Sequence, residues 1–401
     1  STAGPGATNL VTGIANAYSD KRPILVITGE APTHIFGKGG LQESSGEGGS
    51  IDQGSIFKGI TCYHKVIERT DYLANVLNHA AKILLSEKPG PVLLSLPYNV
   101  QKELVEEDIL ERVKIPARRS STILDHDAIG LFADLLCASE APVIVAGYGC
   151  ILAGAQPQVQ ILSQELNIPV TSSLKGKGVM AEQSPLSLGS LGVTSTGYAY
   201  RYIVDHADSV VFLGAGFNER TSYLWDDELL RDKRVAQVDN DASQIHKVFH
   251  ADVAVNGDIK AVLSGVLHNI EQRGSAGGAL RKQVVASAPV ETRDAGNSEI
   301  FRAGFSLVEG FFRRLERLDP PGLMVFDDNI IFAQNFLNVS GGTRFYPNSG
   351  VSSLGHAIPA AVGARFANGK PALAVLGDGG FQMCCMELMT AVNYRQPITV
   401  V

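Results

Sequence analysis

The chain has 401 residues, 45% of them hydrophobic and 19% charged, with a formal net charge of −7. That balance leaves no basic face for nucleic acid, no apolar run reaches the roughly 18 residues of a membrane span, and the length gives room for several domains with ample buried core. The five cysteines, Cys62, Cys137, Cys150, Cys384 and Cys385, show neither CxxC nor His-paired spacing, so they read as reduced thiols of a cytoplasmic protein.

In chain order, Gly4-Pro5-Gly6 is a turn leading to a helix over Val11–Asp20, and Pro23–Gly29 is a strand. A glycine-rich loop, Gly39-Gly-Leu41-Gln42-Glu43, continues into Ser44–Ser50, whose composition predicts an inserted flexible segment. Gly90–Pro97 is a late buried strand that closes the first unit. Charged residues from Lys102 to Lys114, then Arg118-Arg119, predict a solvated connection.

A second unit runs from about Ser121 to Asn269, with strands at Pro142–Gly147, Ile168–Thr171, Ser209–Gly214 and Arg234–Asp239. The polar stretch Glu271–Ser298, carrying Gly274, Gly277 and Gly278, reads as a linker. A third unit opens at Phe301, and its strand Leu323–Phe326 runs into Asp327-Asp328-Asn329. A further strand, Ala372–Leu376, stops at Gly377-Asp378-Gly379-Gly380, and apolar spacing predicts a helix over Phe381–Asn393. Alternating strands and helices imply parallel sheets flanked by helices on both faces. The expected architecture is α/β, with doubly wound parallel-sheet domains over 1–110, 121–270 and 299–401 and a linker over 271–298. No short tandem repeat is present.

The turn at Gly377–Gly380 carries the most chemistry. Glycines between a strand and a helix let a phosphate approach backbone N–H groups, and the positive helix end favours its charge. Asp378 adds a hard oxygen suited to Mg²⁺. A plain polar turn would satisfy so short a motif equally well. Its setting resembles the diphosphate motif of thiamine-diphosphate-dependent enzymes. Ser1-Thr-Ala-Gly-Pro-Gly-Ala-Thr-Asn9 likewise resembles the pyrimidine-domain turn of their acetolactate-synthase-like members.

The resemblance makes the three units the pyrimidine-binding, central and diphosphate-binding domains. It implies thiamine diphosphate and Mg²⁺ as cofactors, with Asp378 as the metal ligand. Cofactor contacts are expected at Pro5, Asn9, Asn329, Gly350, Ser352, Leu354, Gly377, Asp378, Gly379, Gly380 and Phe381. Leu354, within Asn348-Ser-Gly350-Val-Ser352-Ser-Leu354-Gly355-His356, aligns with the apolar prop that bends the cofactor, and Ser352 with a backbone carbonyl that accepts from its aminopyrimidine. Relatives often place a Gln/His pair where Asp327 and Asp328 stand. Two aspartates would repel a diphosphate unless a metal or basic group intervened, so Asn329 is the expected donor there. His356 is open to a catalytic or a structural reading, the second being commoner for a histidine at a helix entrance.

The catalytic glutamate of the family falls before Ser1, and the asparagine that completes the metal site falls after Val401. The chain is therefore expected to begin and end inside catalytic domains, and to be inactive and poorly soluble when expressed alone. Gln42, in the Gly39–Glu43 loop that resembles the family's Phe-Gln-Glu loop, is a further catalytic candidate. In the central unit, Ser184–Gly192, Gly214-Ala-Gly216-Phe-Asn-Glu-Arg220 and Val238–Asp241 resemble FAD-contacting segments. Gly216, however, stands where flavin-binding relatives carry a basic residue, and Gly147-Tyr-Gly149 lacks a third glycine, which weighs against FAD.

The implied reaction is decarboxylation of a small 2-oxo acid followed by carboligation, in a homodimer or homotetramer whose subunits share sites. A sulfoacetaldehyde acetyltransferase-like enzyme, a simple 2-oxo acid decarboxylase and a silent homologue acting as a binding subunit are the alternatives.

Overall fold

The computed structural model describes residues 1–115, 124–274, 305–340 and 344–401. The expected connection at Arg118-Arg119, the linker beyond Gly274 and the opening at Phe301 lie outside the described residues. The chain divides into two compact units, Ser1–Ser121 with Gly350–Ser352, and Thr122–Ser349 with Ser353–Val401.

The first unit holds a parallel sheet of β1 (Ile24–Glu30), β2 (Tyr63–Val66) and β3 (Pro91–Pro97), in the order β1-β3-β2. β3 is central and buried on both faces. Leu93 points into the layer of Ala7, Ile14, Val26 and Phe57, while Val92 and Leu94 pack with Val76 and Ala80 of the helix Leu73–Leu84. Strands enclosed on both faces read as continuous apolar runs, which is why this one was legible.

The second unit holds two parallel sheets. One is six-stranded: β4 (Pro142–Ala146), β5 (Val170–Ser172), β6 (Ser187–Ser190), β7 (Ser209–Leu213), β8 (Arg234–Asp239) and β9 (Val253–Asn256), in the order β6-β5-β4-β7-β8-β9. The chain works outward from β4 to one edge, then returns beside it at β7, the doubly wound order. Along β4, Ile144 and Ala146 enter one core and Val143 and Val145 the other. Two strands here went unread in the sequence. β6 is short, with Leu188 its only large apolar residue, and β9 has just four residues at the sheet edge. Glu271, expected in the linker, instead belongs to the helix Ile259–Gln272, whose apolar face packs into the same core.

The other sheet contains β10 (Met324–Asp327), β11 (Phe345–Pro347), β12 (Ala372–Val375) and β13 (Thr399–Val400), in the order β11-β10-β12-β13. It too is cored on both sides, with Val325, Leu373 and Val375 facing one way and Met324, Phe326, Ala372 and Ala374 the other. A buried polar contact joins the loop Lys177–Glu182 to the stretch after the helix Ile331–Phe336. Lys177 Nζ lies 2.8 Å from Glu182 Oε1, and Glu182 Oε2 accepts the Val339 N–H at 2.7 Å.

Two expectations are corrected. The helix predicted over Phe381–Asn393 starts at Asp378 and runs to Cys384; a 3-10 turn at Cys385–Glu387 then separates it from Leu388–Asn393. Gly379 and Gly380 therefore lie inside the first helical turn, and Gly377 caps it. The segment Ser44–Ser50 is tied down at both ends rather than loose. Ser44 is buried, its N–H donates to Glu30 Oε1 at 2.9 Å, and Ser45 bridges Asp52.

Candidate cofactor site

β10 and β12 lie side by side with Asp327 level with Val375, so the turns that leave them open at the same end of the sheet. Ligands of doubly wound sheets bind at the carboxyl ends of the strands. Gly377 caps the helix Asp378–Cys384, whose first internal bond runs from the Phe381 N–H to Gly377 O at 2.9 Å. The N–H groups of Asp378, Gly379 and Gly380 precede that bond and are left over by the helix ladder. Gly377, Asp378 and Gly379 are exposed, and a Cβ added at Gly379 would meet nothing within 4 Å. The turn is thus open outward, with the Asp378 carboxylate at its mouth.

Its inner side is closed. Gly380 is buried, and a Cβ there would come within 2.2 Å of Asp328 Oδ2. Asp328 accepts the N–H groups of Gly355 at 2.8 Å and His356 at 2.9 Å, where the helix Ala357–Asn368 begins. Gly355 has φ 83°, and a Cβ on it would press on Met383 Cβ at 3.1 Å. The two expected cofactor segments, Leu354-Gly355 and Gly377–Gly380, therefore meet. Leu354 is 44% exposed beside them.

Asp327 and Asp328 both turn into the protein. Asp327 accepts from the Ile330 N–H and from Gln334 Nε2, each at 2.8 Å. Burial pushes the Asp327 carboxyl up to about 7; the Gln334 and Ile330 bonds oppose this, and the Asp328 charge adds to it. Gln334 Oε1 has no hydrogen-bond partner among the described residues. An amide flip would offer it to a protonated Asp327. The bend between the aspartates and the next helix is made by Asn329 at φ 64°, a conformation asparagine tolerates better than most residues.

The first unit carries the remaining expected residues. Gly4 has φ 59°, donates its N–H to Ser44 Oγ at 3.1 Å, and packs on Gln42, whose Cβ lies 3.2 Å from where a Gly4 Cβ would stand. Pro5 opens the one-turn helix Pro5–Thr8 and Asn9 caps it, both exposed. Gln42 is exposed, and its Oε1 accepts the Thr2 hydroxyl at 3.2 Å. Glu43 is buried and shapes the loop, accepting from Gly37 N–H at 2.5 Å, Gly40 N–H at 2.8 Å and Ser45 Oγ at 2.7 Å. The Ser45 hydroxyl first, then those amides, hold its carboxyl below the usual range. Gly350 and Ser352 are half-buried in a turn where Ser352 has φ 60°.

The glycines of the central domain have a packing role. A Cβ at Gly147 would fall 2.1 Å from Gly214 O, and one at Gly149 would fall 2.8 Å from Gly214 Cα. The turns after β4 and β7 thus touch backbone to backbone at the point where the strand order reverses. Gly216 is exposed with open space around it. Two residues escaped the sequence reading. One is Asp328 as a brace; the other is Asn348, fully buried, whose N–H donates to Asp327 O at 3.0 Å while its Nδ2 donates to Ser353 O. An acidic pair directly after a buried strand was the only available signal for the first.

The sequence matches three family descriptions: the N-terminal TPP binding domain of thiamine pyrophosphate enzymes over residues 1–50, their central domain over 129–266, and their C-terminal TPP binding domain over 329–401. The probable acetolactate synthase large subunit of Methanocaldococcus jannaschii is 31% identical over 418 aligned positions, covering 100% of this chain and 68% of that protein. The acetolactate synthase of Arthrospira platensis is 30% identical, with 100% and 69% covered, and the isozyme 3 large subunit of Escherichia coli is 28% identical, also with 100% and 69% covered. With the open Gly-Asp-Gly-Gly turn at the strand ends and all three domains matched in order, the chain belongs to the thiamine pyrophosphate enzyme family and is similar to its acetolactate synthase large subunits.

Proposed function

We propose that the protein decarboxylates a small 2-oxo acid and joins the remaining carbon unit to a second carbonyl, using thiamine diphosphate and Mg²⁺. The observation that carries this reading is the Gly377–Gly380 turn at the carboxyl end of β12, with Gly377, Asp378 and Gly379 exposed and three amides left over by the helix ladder. These groups fit the cofactor chemically. Asp378 offers a hard oxygen to Mg²⁺, the N–H groups of Asp378, Gly379 and Gly380 suit phosphate oxygens, and Gly379 leaves room for them. Leu354, exposed beside the turn, would be the apolar side chain that props the bend of the cofactor. When bound, thiamine diphosphate supplies a thiazolium that accepts the electron pair freed by loss of CO₂. The protein's part is to anchor, bend and desolvate it.

We read the protein further as a cytoplasmic homodimer or homotetramer with Gln42 close to the substrate, a reading supported by the outward position of Gln42 and by the free cysteines. In the intact protein, Asp378→Ala is expected to abolish Mg²⁺-dependent binding of thiamine diphosphate and formation of acetolactate from pyruvate, with the far-UV circular dichroism unchanged. Unaltered cofactor affinity in this variant would remove the reading.

A further inference from the structure

We propose that Asp328 is a positioning residue that locks the two cofactor-binding turns together, and that residue 380 is glycine because of the Asp328 carboxylate rather than because of a phosphate. The inference rests on the thiamine diphosphate reading above.

The geometry is specific. Asp328 is fully buried at the end of β10, and its own N–H is fixed to Val375 O of β12 at 2.9 Å. Each carboxylate oxygen takes one of two successive amides, Oδ2 that of Gly355 and Oδ1 that of His356. These are leftover amides at the entrance to the helix Ala357–Asn368. Both carboxylate oxygens are thereby committed to backbone amides, a geometry that tolerates little displacement. The same Oδ2 fills the space in front of Gly380, where a Cβ would sit 2.2 Å away. One side chain thus sets both the height of the Leu354-Gly355 turn and the depth to which the Gly377–Gly380 turn can sink. Gly379, by contrast, has open space where its Cβ would be. Bulk is therefore excluded at position 380 from behind, by the carboxylate, and not from the open side.

A double-mutant cycle tests this on the intact protein, with thiamine diphosphate affinity measured by fluorescence titration in saturating Mg²⁺ and thermal unfolding followed in parallel. Asp328→Ala and Gly380→Ala are each expected to weaken affinity by about tenfold or more, the loss expected when a buried partner is removed or overpacked. The double variant D328A/G380A is expected to bind at least as well as D328A, because the methyl group enters the space the carboxylate vacated. Asp328→Asn, which retains one acceptor, should fall between wild type and alanine. The near-UV circular dichroism of the bound cofactor should change in D328A even at saturation, a signature that simple loss of stability would not produce. Additive losses in the double variant, or an unchanged cofactor spectrum in D328A, would overturn the proposal. If the wild-type protein bound no thiamine diphosphate, the cofactor reading itself would fail instead.

Discussion

The Lys177–Glu182 pair allows a quantitative test of how the two sheets of the second unit are held. The side chains are 3% and 4% exposed, and Glu182 accepts from Lys177 Nζ at 2.8 Å, from the Ser190 hydroxyl at 3.2 Å and from the Val339 N–H at 2.7 Å. Its own N–H returns to Val339 O at 2.9 Å, and the Lys177 ammonium lies 5.9 Å from the Phe345 ring. Lys177→Met keeps most of the stem but leaves a buried carboxylate with neutral donors only, a loss of about 3–5 kcal/mol. Glu182→Ala leaves the ammonium unpaired and also orphans the Val339 N–H, which adds about 1–3 kcal/mol. The double variant K177M/E182L buries no charge, so it should lose less than either single change. Urea unfolding followed by far-UV circular dichroism would rank the three midpoints. A Lys177→Met midpoint equal to wild type, or a double variant weaker than both singles, would refute the reasoning.

Two further outcomes follow from the site and the central domain. Asp327 titrates at about 7 in the folded chain against an ordinary 3.8, so the native state keeps a proton that the unfolded state has released between those values. Its contribution to stability is complete below the lower value and is lost as pH rises through the upper one, on the order of 4 kcal/mol in all. Asp327→Asn, which mimics the protonated acid, should remove this fall; unfolding midpoints with the same slope from pH 4 to 7.5 in both proteins would contradict it. The purified intact protein should show no flavin absorbance band, since Gly147 and Gly149 serve backbone packing against Gly214 and Gly216 supplies no charge; a stoichiometric yellow cofactor would reverse that judgement.

What the sequence determined by itself was the pattern that local chemistry imposes. Strands such as β3, β4, β7 and β12 are enclosed on both faces and so appear as unbroken apolar runs, and Gly377–Gly380 marks where a strand must turn into a helix without side chains in the way. The family resemblance at both ends of the chain could be read because backbone turns tie function to a few fixed residue types. The tertiary structure decided what depends on neighbours distant in sequence. Asp327 and Asp328 look alike as letters next to a strand end, yet one caps its own turn while the other reaches 27 residues on to Gly355. Gly147 reads as half of a dinucleotide motif, but its lack of a side chain is required by Gly214 across the sheet. Nothing in the sequence singles out Lys177 and Glu182, five residues apart, and they become a buried clasp only because Val339 comes to meet them. A charge declares its type in the sequence; whether it meets water, an amide or another charge is set by which strands lie side by side.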